Sequence, residues 1–277
     1  MKLKTRKLLS AFLLAVFAVS TAILLRNFFA FQQGDGIYED ARSLAFSSGK
    51  AVPTAETLPQ QTISEKEAET IWVPAPLEEE DPQVVELQAL DITALQQINE
   101  DVLGWIRIPG TEVDYPLLAG TDNEFYLEHN WKGEKAYVGS IFLECQNRSD
   151  LTDYNTILYG HNIVSGAMFG SLHKYQHDAY WKMHPYIYIV TEAGILRYEI
   201  FSSYNAAVDS QTYSLSFRKD ETKRDFLIMA LEYSDINTGI TPDLTDRILT
   251  LSTCNGSGYI SRRVVQARLK MVEKTAE

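Results

Sequence analysis

Cysteine is nearly absent: only Cys145 and Cys254 occur in 277 residues. Two thiols are too few for a Cys-rich zinc framework, and they allow at most one disulfide. A bridge between them is open to an exported chain, but it would silence both thiols. Positive charge is scarce too. Five of the 25 basic residues and none of the 37 acidic ones fall within the first 30 positions, so the remainder is strongly acidic. Phosphate binding needs clustered Lys and Arg, and no nucleic-acid partner is expected. No internal repeat is found, and one apolar run stands out from an otherwise mixed sequence.

That run, Leu8 to Leu25, has eighteen residues without a charge, about the length that spans a hydrocarbon core. Lys2, Lys4, Arg6 and Lys7 precede it, which keeps the N-terminus cytoplasmic and sends the rest across. A cleaved signal peptide is the alternative, but its apolar region is usually about 7–15 residues. Phe28, Phe29 and Phe31 also prolong the apolar character where a cleavage site would need a polar break. The reading is a cytoplasmic tail (1–7), a single-pass signal-anchor (8–25), an extracytoplasmic linker (26–90) and a folded domain (91–277) at the cell membrane. Pro53, Pro59, Pro74, Pro76, Pro82 and the acidic run Glu78 to Asp81 mark the linker as a flexible, solvated spacer, with a short helix from Ser64 to Thr70.

From Asp91 onward strands dominate. A capped helix opens the domain at Asp91. Val102 to Gly110 alternates and stops at Pro-Gly, and Asp114 to Leu118 reads as an edge-like strand because of Pro116. Thr121 to Glu124 is a capping box leading into Phe125, Tyr126 and Leu127. Tyr137 to Leu143, Thr156 to Tyr159, Tyr186 to Val190, Ile195 to Tyr204, Ile248 to Thr253 and Val264 to Leu269 read as strands. Ala167 to Met183 and Phe217 to Tyr233 read as helices. The pattern predicts a mainly β, mostly antiparallel barrel with peripheral helices.

Cys254 ends one strand, just before the turn Asn255-Gly256-Ser257-Gly258, with Arg262 and Arg263 close behind. A fixed cation favours thiolate over thiol; the bland alternative is an inert core cysteine. Five histidines could partner it. His173 and His177 are four apart, a metal-capable spacing, but Lys174 replaces the glutamate of the zincin motif and no metal is expected. His184 reads as structural at a helix end, and His129 lies in a polar loop. His161 follows Thr156 to Gly160 at the end of a buried-looking strand, where catalytic groups gather. Arg262 and Arg263 should face opposite ways, and Arg263 reads as a solvent-facing strand charge.

Tyr159-Gly160-His161-Asn162, Met168-Phe169-Gly170, Leu251-Ser252-Thr253-Cys254 and Arg262-x-Val264-Val265 together resemble the signature of sortases, specifically class B. Gly104 to Thr111, Asp114-Tyr115-Pro116, Gly139 to Leu143 and His184 to Ile187 match as well, in one register from about residue 92 to 270. The resemblance implies an eight-stranded β-barrel and a membrane-anchored cysteine transpeptidase of Gram-positive type that needs no cofactor. Such an enzyme cuts a C-terminal sorting motif of secreted proteins after Thr, and transfers the acyl group to a peptidoglycan-precursor amine or a pilin lysine. By resemblance Cys254 is the nucleophile, His161 the general acid/base and Arg262 the oxyanion cation. Asn123, Leu127, Tyr159 and Ser252 would line the peptide groove, with Asn255 standing where some relatives carry an acid. Cys145 matches no family position. The chain closes Met271 to Glu277 without a second apolar run, so it is expected to carry no sorting signal of its own. Two other functions stay open: a catalytically silent tethered binding module, and a hydrolytic cysteine protease. Against papain-like enzymes stands the order, since here His precedes Cys.

Overall fold

Eight segments rich in Leu, Ile, Val and aromatic residues form strands in the computed structural model, which describes residues 12–22, 36–46, 81–254 and 260–273. They are β1 (Val102–Arg107), β2 (Asp114–Leu118), β3 (Ile141–Leu143), β4 (Asn155–Tyr159), β5 (Tyr186–Thr191), β6 (Gly194–Ala207), β7 (Ile248–Cys254) and β8 (Ser261–Glu273). In the order β1-β2-β3-β4-β7-β8-β6-β5 they close into a barrel. Closure pairs every strand on both sides, which removes the open edges that invite aggregation. β2 runs parallel to β3 and β4 parallel to β7; the other neighbours are antiparallel.

β7 and β8 are covered on both faces. Leu249, Leu251, Val265 and Ala267 join the main core with Leu158 of β4, whereas Ile248 and Val264 pack with Phe226, Leu227 and Ala230 of the helix Asp220–Glu232. Along the second face of β7 the side chains turn polar toward the strand end, from Ile248 to Thr250 and Ser252. A buried polar network ties the strands there. Thr250 donates to Asn155 Oδ1 (2.7 Å) and accepts from Gln266 Nε2 (3.0 Å), and Asn155 Nδ2 donates to the carbonyls of Thr212 and Ser214, both at 3.0 Å. Tyr204 donates to Gln266 Oε1 at 3.2 Å. One buried network thus locks β4, β7 and β8 in register. Asn155→Ala leaves the Thr250 hydroxyl and two carbonyls without that partner and is expected to cost about 2–3 kcal/mol. A thermal melt should show the midpoint falling by about 5–10 °C; an unchanged midpoint would remove the network from the account of the fold.

Several expectations are corrected. The spacer read over 26–90 contains two packed stretches. In the helix over 36–46, Tyr38, Ala41 and Ala45 are buried, and Arg42 Nε pairs with Asp114 Oδ2 at 3.0 Å. Tyr38 donates to Gly139 O, and Trp131 Nε1 donates to Ile37 O at 3.0 Å. The helix Pro82–Leu87 buries Val84 and Leu87, and its cap Asp81, read as solvated, accepts from Gln83 N, Tyr188 and Arg197. The helix read over Ser64 to Thr70 lies outside the described residues, as do the ends of the run Leu8 to Leu25. Residues 12–22 are helical, and no helix among the described residues is long and apolar enough to cross a membrane.

β2 is not an edge: it pairs with β1 and β3. β3 meets it only at Leu117 and Leu118, however, and Pro116 sits where that second ladder has ended. The strand expected over Tyr137 to Leu143 is confined to Ile141–Leu143, because Gly139 turns the chain at φ +58°. Ala167 to Met183 is not one helix but a 3-10 segment, Gly170–Gln176, and an α-helix, Asp178–Met183, broken at the extended residue His177.

Candidate active site at the ends of β4, β7 and β8

Parallel pairing is what brings the distant histidine to the cysteine. β4 and β7 run in register from Asn155↔Ile248 to Tyr159↔Ser252, and Gly160 N still donates to Ser252 O at 3.3 Å. Carried on by two residues past the end of β4, that register sets His161 level with Cys254. On the other side, the β7–β8 ladder pairs Cys254 with Arg262. Three adjacent strand ends therefore carry His161, Cys254 and Arg262 at one level, with neighbouring strands about 4.8 Å apart. Asn255, in 255–259, lies outside the described residues, and Cys254 is fixed here by its backbone.

His161 is held at its ring. Its Nε2 lies 2.6 Å from Leu127 O. A carbonyl only accepts, so the hydrogen is on Nε2, and Nδ1 of the neutral ring carries the lone pair. The 3-10 turn Phe125–Leu127 supplies that carbonyl, and Asp122, rather than Thr121, caps the turn through Oδ1 to Glu124 N (2.8 Å) and Phe125 N (2.7 Å). Gly139 lies against both groups: a Cβ there would come within 2.6 Å of Leu127 O and 2.9 Å of His161 Cδ2. At that φ and that spacing only glycine fits. Phe169 N donates to His161 O at 2.9 Å, which closes the following loop.

The two arginines diverge as alternation requires, but not as expected for Arg263. It is completely buried, pairing with Asp235 and donating from Nη2 to Ser203 Oγ at 2.8 Å. No solvent face exists there, because both sides of β8 are covered. Arg262 is half-buried, and among the described residues it enters no ion pair; its Nη1 reaches Ser261 O at 3.5 Å. Its charge is left for something else.

Below the histidine a polar wall forms. Asn123 Nδ2 and the Tyr159 hydroxyl both donate to Glu144 Oε2, at 2.8 and 2.9 Å, and Asn123 Oδ1 accepts from Cys145 N at 2.9 Å. Burial, then the Glu144 charge, pushes the Tyr159 phenol far above its ordinary range. Ser252 is buried, its hydroxyl 3.0 Å from the hydroxyl of Tyr213. Leu127 keeps its side chain exposed. Of the expected groove residues, Asn123 and Tyr159 meet directly at Glu144, Leu127 joins through its carbonyl, and Ser252 sits under Tyr213. Glu144 and Tyr213 went unnoticed in the sequence: no motif surrounds Tyr213, and Glu144 carries only the signal of an acid at a strand end.

The remaining candidates fall elsewhere. Cys145 is a free, exposed thiol whose pKa is raised by desolvation and then by Glu144. His177 lies at the break between the two helical segments, so its spacing from His173 is not that of one helix face. Among the described residues no three His, Cys, Asp or Glu side chains are grouped to hold a metal. His184 Nδ1 donates to Pro109 O at 2.8 Å, and His129 stacks on Phe125. A cleft of about 770 Å³ lies between the helix over 36–46 and the β1–β2 turn, where Arg42 and Arg107 are already paired with Glu39, Glu86 and Asp114.

Known proteins are similar to this chain in sequence and in fold. A family model described as a sortase domain matches residues 106–270. Sortase B of Listeria monocytogenes is 37% identical over 183 residues, covering 65% of this chain and 74% of that protein. Sortase B of Staphylococcus aureus is 33% identical over 178 residues, covering 64% and 73%. The Staphylococcus aureus sortase B–substrate complex superposes with a TM-score of 0.62 at 33% identity, covering 66% of this chain and 85% of that one. Clostridium perfringens sortase B gives 0.61 at 32%, covering 65% and 100%. The matched region holds the whole barrel wall from β4 to β8 with all three strand ends, and the chain accordingly belongs to the sortases, in class B, as a cysteine transpeptidase.

Proposed function

We propose that this sortase cuts a C-terminal sorting motif of secreted proteins after Thr and transfers the acyl group to an amine of a cell-wall precursor. The observation that carries the proposal is the common level of His161, Cys254 and Arg262 on three neighbouring strand ends. The Cys254 thiolate attacks the scissile carbonyl carbon, and the carbonyl π electrons move onto oxygen. Arg262 stabilises that oxyanion. Collapse breaks the C–N bond, the leaving amine takes a proton from His161, and a thioester to Cys254 remains. The incoming amine gives its proton to the neutral imidazole at Nδ1, attacks the thioester, and expels the thiolate. Asn123, Leu127, Tyr159 and Ser252, the last through Tyr213, form the groove that holds the motif. Leu8 to Leu25 anchors the chain, N-terminus inside, with the catalytic domain outside a Gram-positive type membrane.

The test uses the full chain in detergent, a peptide library with one fixed Thr, and either an oligoglycine, a diaminopimelate-containing peptide or a lysine peptide as acceptor. The expected product joins the Thr carbonyl to the acceptor amine. Hydrolysis without any amine-dependent product would favour a protease, and no cleavage at all would favour a binding module. Carbonate extraction of membranes should leave the chain in the pellet; release into the supernatant would overturn the anchor.

A further inference from the structure

Glu144 is a carboxylate with 5% exposure, and among the described residues no cation pairs with it. Neutral donors hold it instead. Oε2 accepts from Asn123 Nδ2 at 2.8 Å and Tyr159 Oη at 2.9 Å; Oε1 accepts from Gln146 N at 3.2 Å and lies 3.5 Å from Cys145 Sγ. A buried charge is costly, and a chain that only needed to fill this space would do so with an apolar side chain. The cost requires a return that an apolar group cannot give. A carboxylate is a pure acceptor at both oxygens, so every neighbour must point a hydrogen at it.

That constraint decides how Asn123 stands. Its Oδ1 is taken by Cys145 N and one Nδ2 hydrogen by Glu144, which fixes the amide against a flip. The second Nδ2 hydrogen remains, on a half-buried side chain at the groove wall. Glu144 N donates to Ile157 O, so its backbone lies four rungs below His161, about 13 Å along the strand. At that distance a group reads the bound peptide and does not touch the reacting carbonyl.

We infer that Glu144 is a positioning residue: by accepting from both Asn123 and Tyr159 it locks the Asn123 amide so that its remaining N–H meets a backbone carbonyl of the sorting peptide. The inference rests on the groove reading above and extends it to a residue that makes no contact with substrate. A Met at 144 keeps the length and removes the acceptor that Asn123 and Tyr159 share, so the Asn123 amide is freed.

The probe is the library peptide that the wild-type chain cleaves fastest, with the best of the three acceptors. Glu144→Met is expected to raise KM for the peptide about tenfold with kcat within about threefold. Asn123→Ala should do the same, and the double variant should be no worse than Asn123→Ala alone, because both changes remove one interaction. Tyr159→Phe, which loses one donor and keeps the ring, should give a smaller rise in KM. A Glu144→Met variant with unchanged KM and a lower melting temperature, or effects that multiply in the double variant, would overturn the inference and leave only a structural role. A second measurement needs no substrate. The Asn123 side-chain amide proton donated to Glu144 should be protected from exchange in NMR, and should lose that protection in Glu144→Met; identical spectra would overturn the lock. If wild type transfers no acyl group, the proposed function fails, while the NMR result still decides the lock.

Discussion

Replacing Cys254 by Ala is expected to lower acyl transfer by at least about 10⁴-fold, because no other group on the strand ends can form the thioester and the triad acts as a unit. Fold should survive. Cys254 is the last residue of β7, with its register fixed from below by Thr250 and its pairing to Arg262. The melting temperature should therefore move by no more than about 2 °C. Two readouts check this on the same sample: amine-dependent product by mass spectrometry, and the mass of an intermediate trapped with limiting acceptor. Wild type should accumulate a covalent acyl adduct that Cys254→Ala lacks. Cys145 serves as the internal control, since it is the second thiol, exposed and raised. Cys145→Ala should retain the adduct. If Cys254→Ala kept transferring, or if the adduct moved to Cys145, the assignment of the nucleophile would fail.

Position of this site was legible in the sequence to the extent that local signals carry it. The dense Leu, Ile and Thr of β7 and its abrupt stop at Cys254 marked a buried strand end, and Thr156 to Gly160 marked another. Nothing local said that these ends lie side by side. β4 and β7 pair in parallel across more than 90 residues of chain, and a parallel register leaves no turn in the sequence from which to read it. The resemblance to class B sortases supplied what local pattern could not. Alternation likewise separated Arg262 from Arg263 but could not say what each would face, because Arg263 is enclosed against Ser203 and Asp235 while Arg262 stays half-buried. The helix over 36–46 was missed for a different reason. Its buried stripe is Tyr38, Ala41 and Ala45, and two alanines contribute little hydrophobicity to a composition scan while allowing close approach to the barrel. Polar residues in the spacer were misjudged in the same way: Asp81 looked like one more acid in a solvated run, yet it caps a helix and binds Tyr188 and Arg197.

The paired arginines separate catalysis from stability most sharply. Arg262→Ala should lower kcat by about 10²–10³-fold, the range for losing one preorganised oxyanion donor. Its melting temperature should stay close to wild type, since the half-buried guanidinium joins no ion pair among the described residues. Arg262→Lys keeps the charge and loses the planar fork, so activity should recover only in part. Arg263→Ala should behave in the opposite way. That side chain has no exposure, and its removal empties a polar space between Ser203 and Asp235. Breaking a fully buried pair costs about 3–5 kcal/mol. Asp235 is 44% exposed and can rehydrate, so about 2–4 kcal/mol is expected here, or roughly 5–15 °C in melting temperature. Below its lowered melting point the Arg263→Ala enzyme should keep kcat within about threefold. Were Arg263→Ala folded but inactive, and Arg262→Ala near wild type, the oxyanion role would belong to the opposite face of β8. The level shared with Cys254 argues for Arg262, because a register partner one strand away can reach a carbonyl bound at that thiol, whereas Arg263 is already committed to Asp235 and Ser203.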